Sequence, residues 1–116
     1  MSTDKSANSV ATMNAATMNA TLTAITPQKA KLSGRLDRLT AKVLLQQGRR
    51  LIAESGSQWQ VDLAEVNHSS SVGIALLLDW QRYSLDKKVT IEFLNVPQKM
   101  QDVIEFSGLK DIFKLN

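Results

Sequence analysis

At 116 residues, with no cysteine and a net charge of +3, the chain has room for one domain built on one core. The missing cysteines exclude a disulfide framework, a thiolate nucleophile and cysteine-based metal sites, and they fit a reducing compartment. Its fourteen basic residues form no run longer than Arg49-Arg50 or Lys87-Lys88. Nucleic-acid binders gather such residues on one face or stripe, so no nucleic-acid partner is expected.

Residues 1–20 are small and polar and hold two copies of Ala-Thr-Met-Asn-Ala, at 11–15 and 16–20. Two five-residue copies are too short for a solenoid. This composition cannot bury enough surface to offset chain entropy, so a disordered low-complexity tail is expected ahead of a single domain over 21–116. The tail lacks the apolar stretch of a secretory signal, and nothing in the chain approaches the ~20 apolar residues of a membrane span. A cytosolic protein is expected, without direct membrane insertion and held at a membrane only through a partner.

Structure is predicted to begin with the β-branched run Thr21 to Thr26, ended by Pro27. Next, Ala30, Leu32, Gly34 and Leu36 alternate with Lys31, Ser33 and Arg35, the pattern of a half-buried strand; the two runs read as a hairpin. Asp37 or Thr40 can cap a helix over 40–55, where Val43, Leu44, Leu51 and Ile52 have helical spacing and Gly56 stands at the C′ position. Gly48 in its middle should cost about 1 kcal/mol against alanine; a close backbone contact would explain it, and so would tolerance without purpose.

Trp59, Val61 and Leu63 alternate with Gln60 and Asp62 as a third strand, and Val89, Ile91 and Phe93 as a fourth. Pro97 suits the first turn of a last helix carrying Met100, Val103, Ile104 and Phe106. Ser107-Gly108 should end it, with Leu109, Ile112, Phe113 and Leu115 in a short closing element. The order is β-β-α-β-α-β-α plus that element. Strands separated by helices demand parallel crossovers, so the fold class is α/β: a mixed sheet of four to five strands with helices packed on it.

The helix over 72–85 is apolar almost all round. At about 100° per residue, Leu77, Ile74, Leu85 and Leu78 form one arc that can face a sheet. Val72, Tyr83, Leu76 and Trp80 form a second. That second arc either packs on a neighbouring helix or anchors a partner, for which a Leu/Trp/Tyr patch is suited; part can do each. Ser69, Ser70 or Ser71 can cap this helix, and a phosphoryl group on a serine there would be favoured by the helix dipole and free amides.

Catalysis has little to stand on. His68 is the only histidine and reads as a loop residue, Ser-Val-Gly is not a nucleophile elbow, and no phosphate loop or metal-ligand spacing is present. Asp62, Glu65 and Asp79 form no convincing acidic cluster. No cofactor, no metal and no enzyme activity are expected, and a small-ligand or nucleotide-binding role has no motif behind it.

Three motifs in register resemble the STAS domains, the sulfate-transporter and anti-sigma-factor-antagonist family. Leu32 to Asp37 with Thr40-Ala41 resembles the second strand and helix entry. Val61 to Val66 followed by Ser71 to Ile74 resembles the central strand, signature loop and helix start. Phe106 to Leu109 with Ile112-Phe113 resembles the closing element. The resemblance spans about 21–115 and implies the same element order.

In the family's switch proteins the loop reads Asp-Ser-Ser-Gly, and a partner kinase phosphorylates its first serine. Laid on this chain, that serine is Ser71 and the glycine is Gly73, while Ser70 replaces the aspartate and Val72 the second serine. The loop is more similar to the branch that serves as the cytosolic STAS subunit of Mla-type lipid-transporting ABC complexes. That resemblance implies a non-enzymatic accessory subunit, peripheral at the inner membrane. Its partner would be the ABC ATPase and, through it, a membrane permease, in a system maintaining outer-membrane lipid asymmetry. The implied partner-binding residues are Ser70, Ser71, Val72, Gly73, Leu76 and Trp80. The alternative is an anti-sigma-factor antagonist, a partner-switch with Ser71 as its phosphorylation site.

Overall fold

A computed structural model describes residues 20–69 and 71–113. The expected tail, apart from Ala20, together with Ser70 and Leu115, lies outside the described residues. Eight elements follow one another: β1 (Ala20–Thr26), β2 (Lys29–Leu36), α1 (Arg38–Glu54), β3 (Gln58–Ser69), α2 (Ser71–Asp86), β4 (Thr90–Leu94), α3 (Gln98–Phe106) and the single turn α4 (Lys110–Phe113). The four strands lie in sequence order. β1 is antiparallel to β2, whereas β2, β3 and β4 run parallel.

Local chemistry sets the boundaries. The Asp37 carboxylate accepts from the amides of Leu39 (2.9 Å) and Thr40 (3.1 Å), and the Thr40 hydroxyl accepts from the Asp37 amide (3.0 Å). This reciprocal capping box starts α1. Gly56 takes φ +93° just past its end, a left-handed conformation that glycine adopts without a Cβ penalty. Pro97 is the N-cap of α3 rather than a residue of its first turn.

β3 is longer than the alternation of Trp59, Val61 and Leu63 suggests, and the register explains why. Between Lys31↔Asp62 and Ser33↔Glu65, and again between Gly34↔Val66 and Arg35↔His68, β3 holds one residue more than β2. Each bulge breaks the two-residue period. In the first, the amide of Ala64 turns to the Asp62 carboxylate (2.9 Å), which also accepts from the Asn95 side chain (3.1 Å). His68, expected in a loop, stands instead near the end of β3 opposite Arg35, with its side chain exposed.

Leu32, Leu36, Leu44, Ile52, Val61, Leu63 and Leu77 are completely buried, and Trp59 and Trp80 meet edge to face at 5.6 Å among them. The alternate residues of the sheet are polar and pair across strands: Lys31 with Glu65, and Gln60 with Glu92 at 2.8 Å. Phe113 closes the far end of the core against Phe93, centroids 5.6 Å apart. Of the apolar residues carried by α3, Val103 and Phe106 remain 44% and 94% exposed, because the helix buries only the narrow stripe Met100 and Ile104.

Candidate docking site

Leu36 and Ser69, the last residues of β2 and β3, are register partners. The helices that follow them, α1 and α2, therefore open at the same end of the sheet. This is the end of a parallel sheet at which open α/β folds present their binding residues. Ser71 is the first residue of α2 and is exposed; Val72 behind it is half-buried. A shallow hollow of about 320 Å³ lies beside them, between the end of β3 and the start of α3, with Val66, His68, Ser69, Lys99 and Met100 among its lining.

Gly73 is a packing position. A Cβ there would displace the Ser69 hydroxyl, which can rotate aside, and would stand 3.2 Å from the Leu36 Cβ, so a side chain would fit tightly against the ends of β2 and β3. The glycine, itself buried, thus lets the first turn of α2 sit close to the ends of both strands.

Leu76 and Trp80 are placed differently from the expectation that they supply apolar contact to a partner. They are 2% and 0% exposed. Trp80 lies against Gly48 of α1, its indole N–H donating to the Leu45 carbonyl at 3.3 Å. Trp80, on the second arc of α2, is thus enclosed between α1 and Trp59 of β3. Burial is so complete that Gln81 and Ser84 are enclosed too, the Ser84 hydroxyl donating to the Gln81 carbonyl at 2.8 Å. Tyr83 is half-buried, with Arg49 5.2 Å and Lys87 5.5 Å from its ring centroid. Leu85, assigned above to the sheet-facing arc, is 65% exposed in the last turn.

Two features, one at this site and one further along the same helices, escaped the sequence. Leu39, in the first turn of α1, is 81% exposed at the same end as Ser71. Its signal is its position off the Leu44/Ile52 stripe. Arg49 grips Asp79 with two bonds, Nε at 2.9 Å and Nη2 at 2.6 Å, and so fixes α1 to α2; a pair thirty residues apart leaves no local trace.

The family model described as Mlab, STAS domain, matches residues 22–115. The chain belongs to this family. A chain of the Acinetobacter MlaFEDB complex in its ATP-bound Vtrans2 conformation is 30% identical, covering 77% of this chain and 94% of that one, with a TM-score of 0.70. The fold is shared with an anti-sigma factor antagonist from Mycobacterium paratuberculosis, at 24% identity over 83% and 82% of the two chains (TM-score 0.68). It is also shared with the phosphorylated form of the Bacillus cell fate determinant SpoIIAA, at 21% identity over 79% and 86% (TM-score 0.61). No curated protein sequence matches the chain. The mixed sheet with its helices is therefore the STAS fold, and no helix among the described residues is long and apolar enough to cross a membrane.

Proposed function

We propose that the chain is a non-enzymatic accessory subunit that binds and supports the ATPase of an ABC phospholipid transporter, and through it meets a membrane permease. The observation that carries this reading is the 30% identity to a chain of MlaFEDB, over 94% of that chain. In this reading the protein is cytoplasmic and peripheral at the inner membrane. Ser71 and Val72 form the centre of the docking surface, Ser70 flanks them, and Gly73 sets the seat of the helix. With Leu76 and Trp80 buried, the apolar contact comes from Leu39 on the neighbouring helix start.

The second reading, an anti-sigma-factor antagonist, is favoured by one observation. Ser71 stands exposed at the first position of a sixteen-residue helix, where a phosphoryl group would be stabilised. The non-acidic Ser70 before it counts in the other direction. A native pull-down with tagged chain, wild type beside Ser71→Arg, separates the two. Recovery of an ABC ATPase with its permease, lost in the variant, supports the transporter subunit. Recovery of a serine kinase, with phosphate appearing on Ser71, replaces it with the switch.

A further inference from the structure

β1 is the outer strand of the sheet, and no described strand pairs with its free side. Its seven residues, Ala20–Thr26, contain no charge, no proline and no glycine. From Thr21 onward, all but the half-buried Leu22 are exposed. Each other strand carries charge: Lys29, Lys31 and Arg35 on β2, Asp62 and Glu65 on β3, Glu92 on β4. Edge strands are ordinarily guarded against pairing by charge, proline or extreme shortness. A neutral β-branched heptapeptide with exposed backbone is instead the composition that pairs with its own kind.

The other edge is unsuited to this. β4 has five residues with Glu92 at its centre, so an antiparallel pair of copies would oppose like charges. Lys88 and Asn95 take φ of +60° and +53° on either side of it, which limits extension of a ladder.

We infer that β1 is a self-association edge, on which two copies of the chain pair antiparallel about a two-fold axis and join their sheets. The regular ladder of β1 with β2 runs from Ala20 to Ala24, and the irregularity comes after it, between Ala24 and Thr26. Pairing centred on Leu22 uses that regular stretch and sets Thr21 opposite Thr23 of the second copy, on the polar face of the joined sheet. Threonine–threonine contacts favour such a pair, and an identical neutral strand brings no charge repulsion to the seam. Lys31, the register partner of Thr23, is one strand further in and engaged by Glu65. A strand pair buries little area, so the association is weak and depends on concentration.

The test uses the full chain. Sedimentation velocity over a series of loading concentrations should show a rising sedimentation coefficient for wild type and a flat one for Thr23→Lys and Thr21→Lys, with unchanged circular dichroism. The absence of native cysteine permits a second arm. Cross-strand Cα separations of about 4.5–5.5 Å lie within disulfide reach. An oxidised mixture of Thr21→Cys and Thr23→Cys should therefore give a covalent dimer, whereas exposed Leu85→Cys should not. A wild type that stays monomeric throughout, a dimer that both lysine variants leave intact, or equal cross-linking by Leu85→Cys would overturn the inference.

Discussion

Trp80 occupies the space that a side chain at position 48 would need. An ideal Cβ on Gly48 falls among the Cε2, Nε1 and Cζ2 atoms of the indole, so α1 and α2 approach as closely as they do because one of them offers bare backbone. In an open helix interior, Gly→Ala adds about 1 kcal/mol of stability. Here Gly48→Ala is expected to destabilise by about 1–3 kcal/mol through overpacking. Urea denaturation reads the sign directly. The double variant with Trp80→Phe should lose less than the sum of the two single losses, since both act on one contact.

The same packing sets apart two apolar residues of α2. Trp80→Ala should cost about 3–5 kcal/mol, as for other buried aromatic truncations. Leu85→Ala, on an exposed side chain, should stay within about 0.5 kcal/mol of wild type. Equal losses at both sites would contradict the burial of Trp80 against α1 or the exposure of Leu85.

Reading along the chain gave the element order and most of the core, because alternation in β2 and β4 and helical spacing in α1 are local signals. The glycine at 56 was legible for the same reason, whereas Asp37 and Thr40 stood as alternative caps for a helix over 40–55 and instead form one capping box on a helix that begins at Arg38. The length of β3 was not legible, because two bulges shift its register against β2 and take Val66 and His68 out of the alternation. How much of the second arc of α2 is free was not legible either. A helix projection shows that Leu76 and Trp80 share an arc, but not that α1 lies over it, and it cannot tell that cover ends before Leu85. Gly48 held the missing clue, a glycine kept inside a helix at a cost that only a close neighbour repays.

The Arg49–Asp79 bridge joins the helices on the rim of that contact, with side chains 40% and 23% exposed. Asp79→Asn should lower the denaturation midpoint, and the deficit should shrink in high salt because the pair is partly screened. Arg49→Lys should not match wild type, since an ammonium cannot reproduce the two-bond fork.

Two carboxylates link stability to acid. The amide of Ala64 and the Asn95 side chain hold Asp62 below the ordinary carboxylate value of 3.8, against an opposing contribution from its partial burial. At Asp37 burial works against the charge, but the amides of Thr40 and Leu39 and the nearby Arg35 outweigh it, and the pKa is again lowered. A carboxylate with a depressed folded-state pKa contributes stability that is present above its unfolded value and lost as pH falls through its folded value. Stability measured downward from neutral pH should thus hold until pH nears 3.8 and then decline. Asp62→Asn should be less stable at neutral pH and should show a shallower decline over that acidic range.

The most direct test of the docking assignment is equilibrium binding of the purified chain to a purified ABC ATPase subunit in solution, measured by titration calorimetry without membrane or permease. Wild type should bind saturably, Leu39→Asp should bind more weakly, and Ser71→Arg should not bind, with thermal unfolding unchanged in both variants. Undiminished binding by Ser71→Arg would contradict the placement of the docking surface at the start of α2. Absence of binding by wild type to the ABC ATPase of the same organism would contradict the subunit role itself.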